Sequence, residues 1–206
     1  VGGGRVLRRY RSGQAAEPEA RVMQHVRAHG FPAPEVFDAS GPDLVMARLE
    51  GPTMLADAGR RPWRLFRHAA LLADLHRRLH ALPALDGLRQ PFGPGPSILH
   101  LDFHPDNVMM TADGPVVIDW PNAAVGPPAA DVAHTWLILA TTEVSWRDVT
   151  ARAGRAAFLS AFLRGAGRAD AAGLLSEVGA YRLGDRNLVG REGDRIERLA
   201  RRHRGR

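Results

Sequence analysis

The sequence predicts an α+β fold, with a small mixed lobe over residues 1–50 followed by a mainly helical lobe over residues 51–206. A strand, helix and hairpin pattern occupies the front. One long amphipathic helix pattern runs from Pro62 to Pro83, and helical periodicity resumes at Asp131 and continues to the end. With 206 residues, 45% of them hydrophobic, the chain has enough apolar mass to bury a core.

Each element has its own signal. Arg5 to Tyr10 reads as a strand that follows the glycine turn at Gly2, Gly3 and Gly4. Glu17 to His29 reads as a helix, with Pro18 in its first turn, Gly30 just past its end, and Val22, Met23 and Val26 on one face. Pro32 and Pro34 break the chain, after which Glu35 to Phe37 and Asp43 to Leu49 read as two strands joined by a turn over 39–42. Gly51 to Arg61 reads as a linker. Pro62 then opens a helix in which Leu65, Ala69, Leu72, Leu75 and Leu79 recur at three- and four-residue steps. A Gly/Pro-rich loop leads to the apolar pair Ile98 and Leu99. Val108 to Met110 and Pro115 to Ile118 form a hairpin about the turn at 111–114, and helices follow from Asp131, one of them spanning Trp146 to Leu163.

Composition excludes several classes. The chain has no cysteine, so disulfides and thiolate metal sites are ruled out and any metal must take oxygen or imidazole ligands. No run is long enough to span a membrane and no cleavable leader pattern is present, so the expectation is a cytoplasmic protein without a membrane partner. The net charge is +6 with a pI near 11.1, and every basic residue is Arg. The Arg-rich end RLARRHRGR has no interleaved aromatics, so it reads as a solvated helix end and no nucleic-acid partner is expected. The oligomeric state is not legible.

The chemistry sits in HLDFHPDN, residues 100–107, and VVIDW, residues 116–120. Phosphoryl transfer needs a carboxylate near the acceptor hydroxyl and oxygen ligands for magnesium. Asp102, Asn107 and Asp119 are the right types: Asp102 and Asn107 share a loop, and the hairpin between Asn107 and Asp119 can bring those two together.

HLDFHPDN is similar to the catalytic loop H-x-D-x-H-x-x-N of the aminoglycoside phosphotransferase family and related choline- and homoserine-kinase-like enzymes, and VVIDW resembles their metal-binding strand end. The resemblance implies a protein-kinase-like two-lobe fold that moves the terminal phosphoryl group of ATP or GTP, with Mg2+, to a hydroxyl of a small molecule such as an aminoglycoside, a sugar, choline or homoserine. It implies Asp102 as the catalytic carboxylate, Asn107 and Asp119 as metal ligands, and His100, His104 and Asp131 as supports of the loop. VLRR resembles the strand that carries a phosphate-contacting Lys, so Arg8 stands in the Lys place with Glu19 as its partner; backbone near Met46 to Leu49 would meet the adenine. Five residues precede Val6, so the nucleotide-cradling hairpin of the family is expected to be missing and the sheet incomplete. The acids Asp148, Glu177, Asp185, Glu192, Asp194 and Glu197 of the variable helical part are interspersed with Arg, which gives a polycationic acceptor little encouragement.

Two other readings stay open. One is a pseudokinase-like module that binds nucleotide or a partner without turnover, suggested by Arg8 and the absent hairpin. The other is a metal-dependent hydrolase in which His100, Asp102 and His104 ligate a metal, since alternate residues of an extended strand share a side. His76 reads as a packed or capped histidine. A regulated protein kinase is disfavoured because TrpProAsn follows Asp119 and little chain separates it from Asp131.

Overall fold

The computed structural model describes residues 3–142, 148–184 and 192–203. Strand β1 (Arg5–Arg9) leads to helix α1 (Glu17–Ala28), then to strands β2 (Val36–Ser40) and β3 (Asp43–Ala47). These form an antiparallel sheet of order β1-β3-β2, with Arg8 opposite Leu44 and Val6 opposite Met46. The face of α1 that is buried carries Glu19, Val22, Met23 and Val26, spaced as one helical stripe. A carboxylate on that stripe needs partners, and it brings Glu19 to the chemistry described below.

The second part opens with helix α2 (Met54–Arg60), a 3-10 turn over Pro62–Arg64, and helix α3 (Leu65–His80). Strand β4 (Ser97–Leu99) follows, then the hairpin of β5 (Val108–Thr111) and β6 (Gly114–Val117), then β7 (Ala124–Gly126), which pairs back onto β4. Helices α4 (Pro128–Thr141), α5 (Val149–Ala166), α6 (Arg168–Leu183) and α7 (Glu192–His203) complete the chain. Buried side chains run along α4 from Ala130 to Ile138 without a polar face, as expected of a helix enclosed by its neighbours. It packs against α5, α6 and α7. Leu72, Leu75 and Leu79 of α3 are fully buried, each contributing about 1.5–3 kcal/mol relative to exposure. No helix among the described residues is long and apolar enough to cross a membrane.

The sequence expectations need correction in several places. The stretch from Gly51 to Arg61 is not a plain linker: Thr53 accepts the Ala56 N–H and caps α2, which buries Met54 and Asp57. Pro62 opens a 3-10 turn, and the α-helix begins at Leu65. The pair Ile98 and Leu99 is a strand, matched by β7, a short buried strand with no alternation to reveal it. Helix α5 starts after Asp148, whose side chain accepts the Ala151 N–H, and the start proposed at Trp146 lies outside the described residues, as does Gly2 of the first turn.

Candidate active site

The polypeptide leaves β4 and turns at once. Leu101 takes φ of 57°, a left-handed conformation that costs a residue with a side chain about 1–3 kcal/mol. Asp131, in the first turn of α4, holds it there. Its Oδ1 accepts the Leu101 N–H at 2.8 Å, and its Oδ2 accepts the His100 N–H at 3.1 Å and His80 Nε2–H at 3.0 Å. Asp131 is fully buried, which opposes its charge, yet the hydrogen bond and charge of His80, with His76 and His100 behind, hold its carboxyl well below the usual range.

His100 is buried against Trp120 and Phe103, and its Nε2 lies 3.1 Å from the Ile118 carbonyl. A carbonyl only accepts, so Nε2 carries the proton and ties the loop to the β5–β6 hairpin. His104 accepts the Asp106 N–H at Nδ1, which leaves Nε2–H facing Asp102 Oδ1 at 3.5 Å. Burial lowers the His104 pKa against the pull of Asp102, so the ring is neutral. Asn107 Nδ2 donates to the Asp102 carbonyl at 2.9 Å and to Asp102 Oδ2 at 3.1 Å. Asn107 thereby holds Asp102 at both its carbonyl and its carboxylate, while the Asp102 side chain stays about a quarter exposed.

The hairpin then delivers Asp119. Ile118 N–H donates to the Asn107 carbonyl at 3.0 Å, so Asn107 and Asp119 lie at neighbouring ends of the two strands. Asp119 has φ of 69°, the second residue with a side chain in the left-handed region among those described. Arg8 reaches across from β1: Nη2 is 2.7 Å from Asp119 Oδ1 and Nη1 is 3.1 Å from Glu19 Oε1. Glu19 is buried and also accepts the Trp120 N–H at 3.0 Å and the Tyr10 hydroxyl, so its charge is fully engaged. Burial and the bond to Glu19 raise the Tyr10 pKa, keeping the phenol protonated. Burial disfavours the Arg8 cation, but Glu19 and Asp119 more than offset this and its pKa is raised.

The segment joining the two parts is fastened to the same hairpin. Met110 N–H donates to the Pro52 carbonyl at 2.8 Å, Thr53 bridges Met109, and Thr53 Oγ1 donates to Asp106 Oδ1 at 2.8 Å. Gly51 has φ of 137°, and a Cβ there would sit 2.2 Å from the Met110 carbonyl oxygen, so only glycine fits. Behind it, buried Asp57 binds His68 at 2.8 Å and Arg61 at 2.8 Å, docking α2 on α3.

The structure therefore brings Asp102, His104 and Asn107 together on one loop, and sets Asp119, Arg8 and Glu19 in one ion-pair chain. His100 and Asp131 lie beneath them. Met46 is apart, half-buried on the central strand, and in the stretch that follows, the Ala47 and Arg48 N–H groups already donate to Glu35 and Gly4 carbonyls at 2.8 Å. His76 is packed as expected, stacked on Phe103, with burial lowering its pKa to about 4. The hydrolase arrangement loses its premise: the strand ends at Leu99 and Leu101 is left-handed, so His100 and Asp102 do not alternate along an extended strand, and no cluster of three or more His, Cys, Asp or Glu fit to hold a metal occurs among the described residues. Tyr10, Thr53 and His80 escaped the sequence reading. Only the capping position of Thr53 carried a local signal.

The donor set suits a hard cation. Asn107 gives its amide nitrogen to Asp102, which leaves its amide oxygen for other use, and Asp119 offers carboxylate oxygen. Two oxygen ligands from protein match magnesium, which keeps several waters and takes the rest of its shell from phosphates.

Among solved structures, a thermostable mutant of aminoglycoside phosphotransferase APH(4)-Ia, in ternary complex with AMP-PNP and hygromycin B, is 16% identical with a TM-score of 0.68, covering 100% of this chain and 89% of that one. A choline/ethanolamine kinase family protein from Mesorhizobium loti is 15% identical with a TM-score of 0.61, over 98% of this chain and 82% of that chain. The amicoumacin kinase hAmiN, in complex with AMP-PNP, Ca2+ and Ami, is 13% identical with a TM-score of 0.54, over 97% of this chain and 81% of that chain. These likenesses establish the protein-kinase-like fold. No curated protein sequence matches. The model of the phosphotransferase enzyme family (APH) matches residues 1–92 and 84–175, spanning the ion-pair chain, the loop and the hairpin, and the chain belongs to that family.

Proposed function

We propose that the chain transfers the terminal phosphoryl group of ATP or GTP to a hydroxyl of a small molecule, and that residues 1–50 serve the nucleotide while 51–206 hold the catalytic loop, metal ligands and acceptor. The observation that carries this is a partly exposed Asp102 held by Asn107, with Asn107 and Asp119 at neighbouring strand ends. Asp102 orients the acceptor hydroxyl and takes its proton. The oxygen attacks the terminal phosphorus, the bond to the bridging oxygen breaks, and the nucleoside diphosphate leaves. Magnesium held by Asn107 and Asp119 would neutralise charge on the phosphates. Arg8, anchored by Glu19, steadies the inner phosphates, and His100, His104 and Asp131 keep the loop in its left-handed turn.

The acceptor class is an aminoglycoside, sugar, choline- or homoserine-like alcohol. Hygromycin B in the APH(4)-Ia complex and Ami in the amicoumacin kinase complex support a small-molecule acceptor. Of the downstream acids, Glu192 pairs with Arg182 at 2.8 Å, Glu197 with Arg201 at 2.6 Å, and Asp148 caps α5, while Asp185 lies outside the described residues. These pairings lend little support to a polycationic acceptor.

A second reading, nucleotide binding without turnover, rests on Arg8 in the Lys place. Calorimetric titration of ATP and GTP with and without Mg2+, for the wild type and Asp119→Ala, tests both. Magnesium-dependent binding lost in Asp119→Ala is expected. Binding of neither nucleotide would overturn the phosphotransferase reading, and binding with no turnover of any hydroxylated acceptor would favour the second.

A further inference from the structure

Asp119 is engaged before any cation reaches it. Arg8 Nη2 lies 2.7 Å from its Oδ1, and the other terminal nitrogen is fixed on Glu19 at 3.1 Å. Glu19 is itself immobilised by Trp120 N–H and the Tyr10 hydroxyl, so the guanidinium is held against Asp119 from a rigid anchor. An ammonium presents its three donors from one nitrogen, so it bonds two carboxylates only where both converge on that atom. A planar guanidinium with two terminal nitrogens spans both carboxylates at once. The Arg8 and Asp119 side chains remain 33% and 36% exposed while the paired Oδ1 is itself buried, so a solvent cation meets Asp119 at its outer carboxylate oxygen beside the guanidinium.

We infer that Arg8 acts as a positioning residue that makes the site take its divalent cation as a complex with nucleotide and exclude the free ion. This rests on the phosphotransferase reading. A free cation binding Asp119 must either displace Arg8 from Oδ1 or lie close beside an undisplaced positive charge. A metal–nucleotide complex brings phosphate oxygens that offer the guanidinium bidentate partners, drawing it off Asp119 as the metal arrives. The exchange moves Arg8 from a carboxylate to a phosphate and leaves Asp119 to the cation, so entry of the two ligands is coupled.

The test is calorimetric titration of Mn2+ alone, and of Mn2+ with non-hydrolysable ATP and GTP analogues, into the wild type, Arg8→Lys and Arg8→Ala. Thermal melts establish that each variant is folded. Both variants are expected to bind Mn2+ alone about twofold to fivefold more tightly, in line with release of a partly exposed ion pair. Arg8→Ala is expected to bind the metal–nucleotide complex more weakly, so the two affinities move in opposite directions, which a merely structural defect would not produce. Wild type and Arg8→Lys with equal affinity for free Mn2+ would overturn the inference, because mere loss of charge would then account for any gain in Arg8→Ala. If the wild type binds the metal–nucleotide complex but free Mn2+ equally well, the inference fails and the phosphotransferase reading stands. If it binds neither, that reading fails first and the inference with it.

Discussion

Leu101 N–H meets Asp131 Oδ1 at 2.8 Å across thirty residues of sequence, and this bond holds the loop after β4 in a conformation its own residues disfavour. The same carboxylate takes the His100 N–H and His80. Asp131→Ala leaves those buried donors unpaired and is expected to destabilise the chain by about 3 kcal/mol, read from urea denaturation. A loss below about 1 kcal/mol would contradict the bracing role. Because the folded carboxyl lies below its unfolded value, the ionised Asp131 contributes fully above pH about 4, and its contribution is lost as pH falls from there through the folded value. Asp131→Asn should therefore flatten the acid limb below about pH 4.

Under the proposed function, removal of Asp102 separates chemistry from binding. Asp102→Ala is expected to lower turnover by roughly 100-fold to 10,000-fold while nucleotide affinity changes little, because the proposed role of this carboxylate is toward the acceptor hydroxyl. Steady-state kinetics beside calorimetry on the same preparation checks this. Unchanged turnover would remove Asp102 from the mechanism.

Two buried histidines set a mildly acidic limit on stability. Burial lowers His76 to about 4, and burial with the nearby Arg182 charge lowers His134 to about 3. In the unfolded chain both protonate near pH 6.5, so below that value the unfolded state binds protons the folded state refuses. Stability is therefore expected to be full above about pH 7 and to fall by roughly 2 kcal/mol per histidine by pH 5. Urea midpoints at pH 8, 6 and 5 measure the slope. His134 Nδ1 is buried without a partner, so His134→Leu should lessen that slope at little cost at pH 8. Identical slopes in the two proteins would contradict this.

Gly51→Ala tests the joint between the two parts. The new Cβ would meet the Met110 carbonyl oxygen at 2.2 Å, in a backbone conformation closed to alanine, so the segment must shift and break its bond to β5. A destabilisation of about 2–4 kcal/mol is expected in thermal melts. A melting point equal to the wild type would show the segment adapts freely.

The proximity of the candidate residues was more legible in the sequence than the frame that holds them. Spacing placed Asp102 beside Asn107 and Asn107 beside the strand end that carries Asp119, because the loop and the hairpin are local. Arg8 and Glu19 were legible as a pair only through the resemblance of VLRR and the helix after it to the family's pattern, and the two do meet at 3.1 Å. What was hidden is long-range or short. Strand β7 is three buried residues, below the length at which alternation speaks, and α2 spans seven residues with one buried Met to mark it. His80 lies on α3 among other polar residues, and only the docking of α4 reveals that it completes the hold on Asp131. The Arg8–Asp119 contact was invisible for the same reason: each residue had been assigned its own partner, and nothing in the linear order says that the two meet.

The bond from Trp120 N–H to Glu19 crosses 101 positions of sequence, and the ion pair from Arg8 to Asp119 joins the first strand to the end of the hairpin. Neither half of the polypeptide can assemble this cluster alone. Cleaving the backbone near Gly51 would leave one fragment with the cationic anchor and the other with the carboxylate it restrains, so, under the proposed function, recovery of nucleotide-dependent metal binding on mixing the two pieces would serve as a complementation signal for reassembly of the fold itself.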